Sequence, residues 1–373
     1  MKRPRFFLAI ALAAGLRLSL PAVDAELKSQ ASAWFSLNDG SPSTPRFRLR
    51  WQPTLSLGKP MGKGWKLDSE VSLNLSAAGS APGWRDAAID GEAKPYRLWL
   101  RLSSSRLEAR LGLQKINFGS ATVFRPLMWF DRVDPRDPLQ ITAGVYGLLL
   151  RYYFKGNANL WLWGLYGNSG TKGRETRATA DDAPEFGGRF QMPLFKGEAG
   201  ATVHIRRLAP GGAASPRPTE SRFALDGKWD LGIGLWAEAA FVHADDPGAA
   251  FPWQRSIVIG ADYTFKLGNG LYLLAEQFHS QDAASVLGAG GNALSFSALL
   301  ARYPLNVLDT LNAIFYFDWR HAQIYSFVDW QRTYDHWRFH GILFWNPQQA
   351  QMAQAGSSLS GGKGFQLMAV WNI

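Results

Sequence analysis

Cysteine is absent from this sequence, so neither a disulfide nor a thiolate metal site can hold the chain together. Charge is sparse, at 19% of the 373 residues. The apolar run Phe6–Leu20 is interrupted by Arg17, and no other stretch reaches the roughly 18 residues that a spanning helix needs. No Pro- and Ser-rich linker or change of texture marks a domain boundary, which favours one continuous architecture. The glycines of Gly288–Gly291 lack the GK[ST] ending of a phosphate cradle. There is no Gly-x-Ser-x-Gly and no His–Ser grouping to suggest an activated nucleophile.

Aromatic residues are abundant instead: 16 Trp, 23 Phe and 11 Tyr. The N-terminus has the layout of an export signal. Lys2, Arg3 and Arg5 precede the apolar run, and Val23-Asp24-Ala25 places small residues where a signal peptidase cuts. Cleavage after Ala25 is expected, leaving residues 26–373 as a single domain. It removes Lys2, Arg3, Arg5 and Arg17 against Asp24, so the formal charge falls from +10 to +7.

The mature chain is written in period two. From Arg46 to Leu57, Phe47, Leu49, Trp51, Leu55 and Leu57 fall on one face, with Arg46, Arg48, Arg50, Gln52 and Thr54 on the other. A strand separates these sets and a helix would mix them. Trp65–Leu75 repeats the pattern, with Asp68 and Glu70 on its polar face. Tyr96–Leu102 sets Arg97, Trp99 and Arg101 against Tyr96 and leucines, and Arg106–Leu113 sets Arg106, Glu108 and Arg110 against apolar neighbours. Alternation is less clean in the second half.

The connections alternate as well. Tight turns are expected at Gly58–Gly64, Ser103–Ser105, Lys155–Asn157, Lys196–Glu198, Asp230–Gly232, Leu267–Gly270 and Pro304–Asn306. Longer polar loops are expected at Asn38–Pro45, Ala77–Ala93, Asn168–Pro184, Ala209–Thr219, Ala244–Pro252, Gln281–Asn292 and Asn346–Gly362. Short turns at one end and longer loops at the other mark a transmembrane antiparallel up-and-down β-barrel, here all-β with about 16–18 strands. One interval does not alternate. Residues 114–144 follow the fifth strand and gather Phe124, Leu127, Met128, Trp129 and Phe130 beside Arg132, Asp134, Arg136 and Asp137. An ordered insert of this length is usually functional.

The last ten residues, GFQLMAVWNI, put Phe365, Leu367, Ala369, Trp371 and Ile373 on one face of a strand that ends with the sequence. Together with the segments QKINFG and WFDRVDPRDP, this terminal strand resembles outer-membrane porins in the broad sense, a group that includes the alginate-export barrels. The resemblance implies that the loop after the fifth strand folds into the lumen as a constriction. It also implies recognition of the terminal strand by the barrel assembly machinery, contact with outer-membrane lipid and lipopolysaccharide, and a possible homotrimer.

A lumen lined by the polar faces would carry Arg46, Arg48, Arg50, Arg97, Arg101, Arg106 and Arg110, opposed by Glu108, Asp68 and Glu70. Such a row raises local anion concentration, so passive passage of small hydrophilic, preferentially anionic solutes is the expected function, with no catalysis and no cofactor. In the loop, Arg125, Asp131, Arg132, Asp134, Arg136 and Asp137 are candidates for lumen contact, or for a salt-bridged brace. Trp161, Trp163, Trp337 and Trp345 are expected in the aromatic girdles at the lipid boundary. His336 and His340, four apart, are weak metal candidates without a third ligand. The basic charge is spread along strands rather than gathered on a helix, so no nucleic acid partner is expected. An outer-membrane hydrolase and a non-conducting barrel scaffold are the alternative readings.

Overall fold

The computed structural model describes residues 17–20, 23–39, 43–82, 88–210, 217–246, 249–288, 290–347 and 362–373. Most of the export signal therefore lies outside the described residues. The strands are β1 (Arg17–Leu20), β2 (Val23–Asn38), β3 (Arg46–Gly62), β4 (Trp65–Ser80), β5 (Ala88–Ser103), β6 (Leu107–Gln114), β7 (Val145–Tyr153), β8 (Asn159–Leu165), β9 (Glu185–Leu194) and β10 (Gly197–Arg207). They continue as β11 (Thr219–Asp230), β12 (Gly234–Ala244), β13 (Trp253–Phe265), β14 (Leu271–Ala283), β15 (Gly290–Pro304), β16 (Asp309–Asp318), β17 (Gln323–Thr333), β18 (Trp337–Asn346) and β19 (Gly362–Asn372).

Each strand from β2 to β19 pairs antiparallel with its sequence neighbour, and β19 returns to β2 with Gly364 opposite Asn38 and Asn372 opposite Gln30. Eighteen strands thus close into an up-and-down barrel, and β1 only folds back on β2. Closure leaves no edge, which backbone immersed in hydrocarbon requires. Ile373 completes the seam just beyond β19, exchanging backbone hydrogen bonds with Ser29 at 2.9 and 3.1 Å.

The period-two pattern becomes an apolar outer wall. Leu49, Leu55 and Leu57 on β3, Val71 and Leu73 on β4, Leu98, Leu100 and Leu102 on β5, and Leu111 on β6 are all exposed. Their polar neighbours point inward. One end is made of tight turns, such as the reversal between β3 and β4, where Gly62, Lys63 and Gly64 all take positive φ. Glycine permits that conformation at little steric cost. Two expected loops are shorter than the sequence suggested. Residues 77–80 and 88–93 continue β4 and β5, with Ala78 opposite Asp90, and Gln281–Ala283 and Gly290–Asn292 continue β14 and β15. The chain remains strand there without an apolar face.

Two of the expected girdle residues lie elsewhere. Trp161 and Trp163 share the luminal face of β8, because the outward positions are taken by residues such as exposed Leu162. Trp337 and Trp345 do face outward, and Trp337 stacks on Trp371 at 6.1 Å.

The two faces of the wall differ in what they tolerate. Leu111→Arg should destabilise the barrel by about 2–4 kcal/mol, as for other cations at the lipid midplane. Ser32→Arg, on the luminal face of β2, should cost only about 0.5 kcal/mol. Urea titration of refolded protein in lipid vesicles measures both; equal costs would refute the assignment of faces.

Candidate functional site

The segment 115–144 leaves β6 and lies inside the barrel. It crosses to the far wall as Gly119–Phe124, and two carboxylates meet it there. Glu276, on the luminal face of β14, accepts hydrogen bonds from the backbone amides of Thr122 (2.6 Å), Val123 (3.1 Å) and Phe124 (2.7 Å), and from the Trp236 indole at 3.0 Å. Glu238, on β12, accepts from Ala121 at 2.7 Å and Leu127 at 3.4 Å. Gly119 has positive φ and lies so close to Glu238 that a Cβ would press on its carboxylate. Buried carboxylates are costly unless hydrogen-bonded, and consecutive amides form a suitable concavity.

Apolar packing covers this grip. Val123 and Phe124 sit among Val258, Leu274, Phe278, Phe296 and Tyr316, with Phe124 stacked on Phe278 at 5.5 Å. The luminal face of β12–β18 is therefore apolar where the segment covers it. Strands apolar on both faces lose alternation, which explains the weaker pattern in the second half. The segment then turns back, and Phe118, Leu127, Trp129 and Phe130 pack on Trp163, Leu149 and Leu165. Trp163 in turn donates to His204 at 3.2 Å.

The charged residues of the segment mostly hold it together. Asp134 accepts three hydrogen bonds from Arg136, each 2.9 Å. Asp131 is buried between Arg125 at 3.8 Å and Lys115 at 4.0 Å, and burial pushes its carboxyl above the usual range despite both cations. Arg125 also bonds Asn117, and Arg132 reaches Gly173 and Thr171 of the neighbouring loop, 166–184. Asp137 accepts from the Leu139 amide at 3.0 Å and is an electrostatic neighbour of Arg50. Burial raises this carboxyl too.

The Arg row divides into three groups. Arg101 and Arg110 are ion-paired: Asp68 lies 2.9 Å from Arg101, and Glu108 lies 2.8 Å from Arg110, 3.9 Å from Arg101 and 3.7 Å from Arg151. Glu70 is a nearby negative charge for Arg110. Arg97 is a strut, donating to the backbone and hydroxyl oxygens of Thr142 at 3.2 and 3.0 Å. Arg46, Arg48 and Arg50 share the luminal face of β3, and among the described residues their guanidinium groups make no hydrogen bond or ion pair. Arg106 is exposed in the turn before β6, not on its luminal face. His336 and His340 do not converge: His336 bonds the Asn372 carbonyl from a turn, and buried His340 contacts Asp329 at 3.1 Å.

Sequence reasoning missed Glu238 and Glu276. A carboxylate inside GLWAEAAF or LYLLAEQF, at a luminal position of an otherwise apolar strand, needs a partner in the lumen. It also missed the ionic network under loop 166–184. There Glu175 meets Arg206 at 3.1 Å and Arg222 at 2.9 Å, and Lys172 meets Glu185 at 2.9 Å. Between segment 115–144, that loop and the strand ends lies a cavity of about 750 Å³, reached by Arg48, Arg50, Arg132, Arg136, Arg174 and Arg222.

No family model and no curated protein matches this chain in sequence. Solved structures do match in shape. Pseudomonas aeruginosa OccK5 (OpdH) is 13% identical with a TM-score of 0.57, over 95% of this chain and 98% of that one. The anion-selective porin from Comamonas acidovorans is 14% identical with a TM-score of 0.51, over 94% and 100%. Salmonella typhi OmpF, in complex with daunomycin, is 10% identical with a TM-score of 0.52, over 96% and 100%. The chain has the porin fold. At these identities the likeness to outer-membrane porins is one of fold alone, and the lumen must be read from its own residues.

Replacing Glu276 by Leu leaves three loop amides and an indole without their acceptor, at a cost of roughly 3 kcal/mol. The segment should then be cut by protease between Ser120 and Phe130 in barrels that keep folded electrophoretic mobility. Glu276→Gln, which keeps one acceptor oxygen, should be intermediate. Undiminished resistance in both variants would rule out the carboxylate grip.

Proposed function

We propose that this protein is a passive outer-membrane channel for small hydrophilic solutes, with anions favoured, and not an enzyme. The observation that carries this reading is the state of Arg48 and Arg50. Both face the cavity, and neither spends its hydrogen bonds on a carboxylate, whereas Arg101 and Arg110 do. Cations whose hydrogen bonds are not taken up by carboxylates concentrate anions in a confined aqueous passage without any energy source. Segment 114–144 sets the bore, since it occupies the lumen and braces Arg97. The shared fold with a porin described as anion-selective agrees with this reading.

On this reading the protein is an integral component of a Gram-negative outer membrane, in contact with lipid and lipopolysaccharide and capable of trimer formation. The terminal strand that seals against β2 is the element the assembly machinery would engage. Residues 1–25 serve as the export signal. Their removal takes away β1 and the first three residues of β2, and the pairing of β2 with β3 continues from Glu26 opposite Ser56.

Planar bilayers under a salt gradient test the selectivity. Arg48→Glu combined with Arg50→Glu should lower the anion-to-cation permeability ratio about tenfold while stepwise conductance persists. An unchanged reversal potential would remove these residues from the selectivity argument. Absence of conductance from folded wild-type protein would remove the channel itself.

A further inference from the structure

The outer wall carries a groove with a polar end. On β12 to β17 the outward residues Ala237, Ile259, Gln277, Ser297, Phe317 and Ile324 stand opposite one another from strand to strand. Beside them Ala261 and Ala275 form the floor of a depression of about 940 Å³, walled by the exposed side chains of Ile259, Leu299 and Ile324. Neighbouring strands lie about 4.8 Å apart, so the groove is roughly 24 Å long. It begins beside the tight turns, at Leu235 near the start of β12, and ends beside the loops, at Ile324 near the start of β17. At a strand tilt of about 40° it rises roughly 15 Å, the depth of one leaflet.

The upper end of the groove offers hydrogen bonds and charge. Ser297 donates to Gln277 Oε1 at 2.5 Å and accepts from the Trp319 indole at 2.8 Å, while Gln277 donates to Ser295 at 3.0 Å. The Ser297 and Gln277 oxygens each keep a lone pair beyond these bonds. Exposed Trp319 is followed in its turn by Arg320, and on the same outward face Lys363 stands opposite Trp345. The backbone amides of Arg320 and Lys363 bond Asp318 and Asp39, but among the described residues neither side chain makes a hydrogen bond or ion pair. From this arrangement we infer that the wall from β12 to β19 binds one molecule of a phosphorylated, multiply acylated glycolipid of the lipopolysaccharide class. An acyl chain fills the groove and the phosphates meet Arg320 and Lys363. The inference deepens the outer-membrane placement and rests on it. Phospholipid chains are joined by esters, which only accept hydrogen bonds, whereas the hydroxyl and amide groups on the chains of this glycolipid class donate to the Ser297 and Gln277 oxygens. Two separate cations also suit a headgroup with two phosphates better than one with a single phosphate.

Native mass spectrometry of the full-length barrel, refolded in maltoside micelles, tests this. Bisphosphorylated lipid A should bind saturably, one per barrel, with its monophosphorylated form and phosphatidylglycerol each about tenfold weaker. Arg320→Gln should weaken lipid A about tenfold, and Ala275→Phe, which fills the groove from the lipid side, should abolish the complex in barrels of unchanged folded mobility. Lipid A held no more tightly than phosphatidylglycerol, or indifferent to Ala275→Phe, would overturn the site. So would a lipid-free dimer or trimer that Ala275→Phe disrupts, since a second copy would then occupy the groove. Fractionation of cell membranes keeps this inference apart from the placement it rests on. A barrel found in the outer membrane that does not prefer lipid A defeats only the site. One that binds lipid A in micelles but fractionates elsewhere defeats the placement.

Discussion

The arrangement inside this barrel depends on two wall carboxylates that hold the backbone of segment 115–144. A β-barrel wall has no backbone groups to spare for its lumen, because each strand spends its amides and carbonyls on its neighbours. A segment crossing the lumen must satisfy its own backbone or borrow side-chain partners. Glu276 and Glu238 supply those partners. Between them they accept from five loop amides, Ala121 to Phe124 and Leu127, in surroundings made apolar by Phe278, Phe296 and Tyr316. In such surroundings each bond is strengthened, and losing one is correspondingly expensive. The grip explains why one side of the lumen is apolar: it is buried under the segment and faces no solute.

That division of the lumen gives the arginines different tasks. Arginines bound to Asp68, Glu108, Asp226 or Glu220 are structural cations, whose field is largely cancelled locally. Arg97 ties the returning end of the segment to β5 through Thr142. Charge that can act on a solute is confined to groups left over from this pairing. Those groups open on the cavity above the segment. Net charge alone could not distinguish them, since a paired and an unpaired arginine contribute equally to the formal balance.

How much of this was legible in the sequence follows from what period two reports. It reports which residues share a face, so the lipid-facing leucines of β3 to β6 and the closing strand could be read directly. The insert after the fifth strand of the barrel was legible because it failed to alternate. Partners across the lumen were not. Glu276 meets amides about 150 residues away in sequence, and no local pattern encodes that meeting. In the sequence Trp161 and Trp163 read as lipid-boundary residues because an aromatic on a strand looks the same from either side; only the packing of Phe130 and His204 against Trp163 reveals the inner face. The alternation puts Arg106 in the lumen, but the turn before β6 extends one residue further than the alternation suggests.

The run Lys172-Gly173-Arg174-Glu175 shows how a rigid loop can present a single free cation. Lys172 and Glu175 are buried in the ionic network with Glu185, Arg206 and Arg222, so both ends of the run are fixed. Gly173 takes a positive φ and sits against the Met128 carbonyl, where any side chain would collide, while its own carbonyl accepts from Arg132. The Arg174 guanidinium is not used in this bracing, while its backbone amide donates to the Met128 carbonyl at 3.2 Å. A cation presented from a fixed backbone loses less entropy when it captures an anion than one on a mobile loop. The ion pairs beneath the loop therefore fix the neighbours of Arg174 and leave its own guanidinium outside their network.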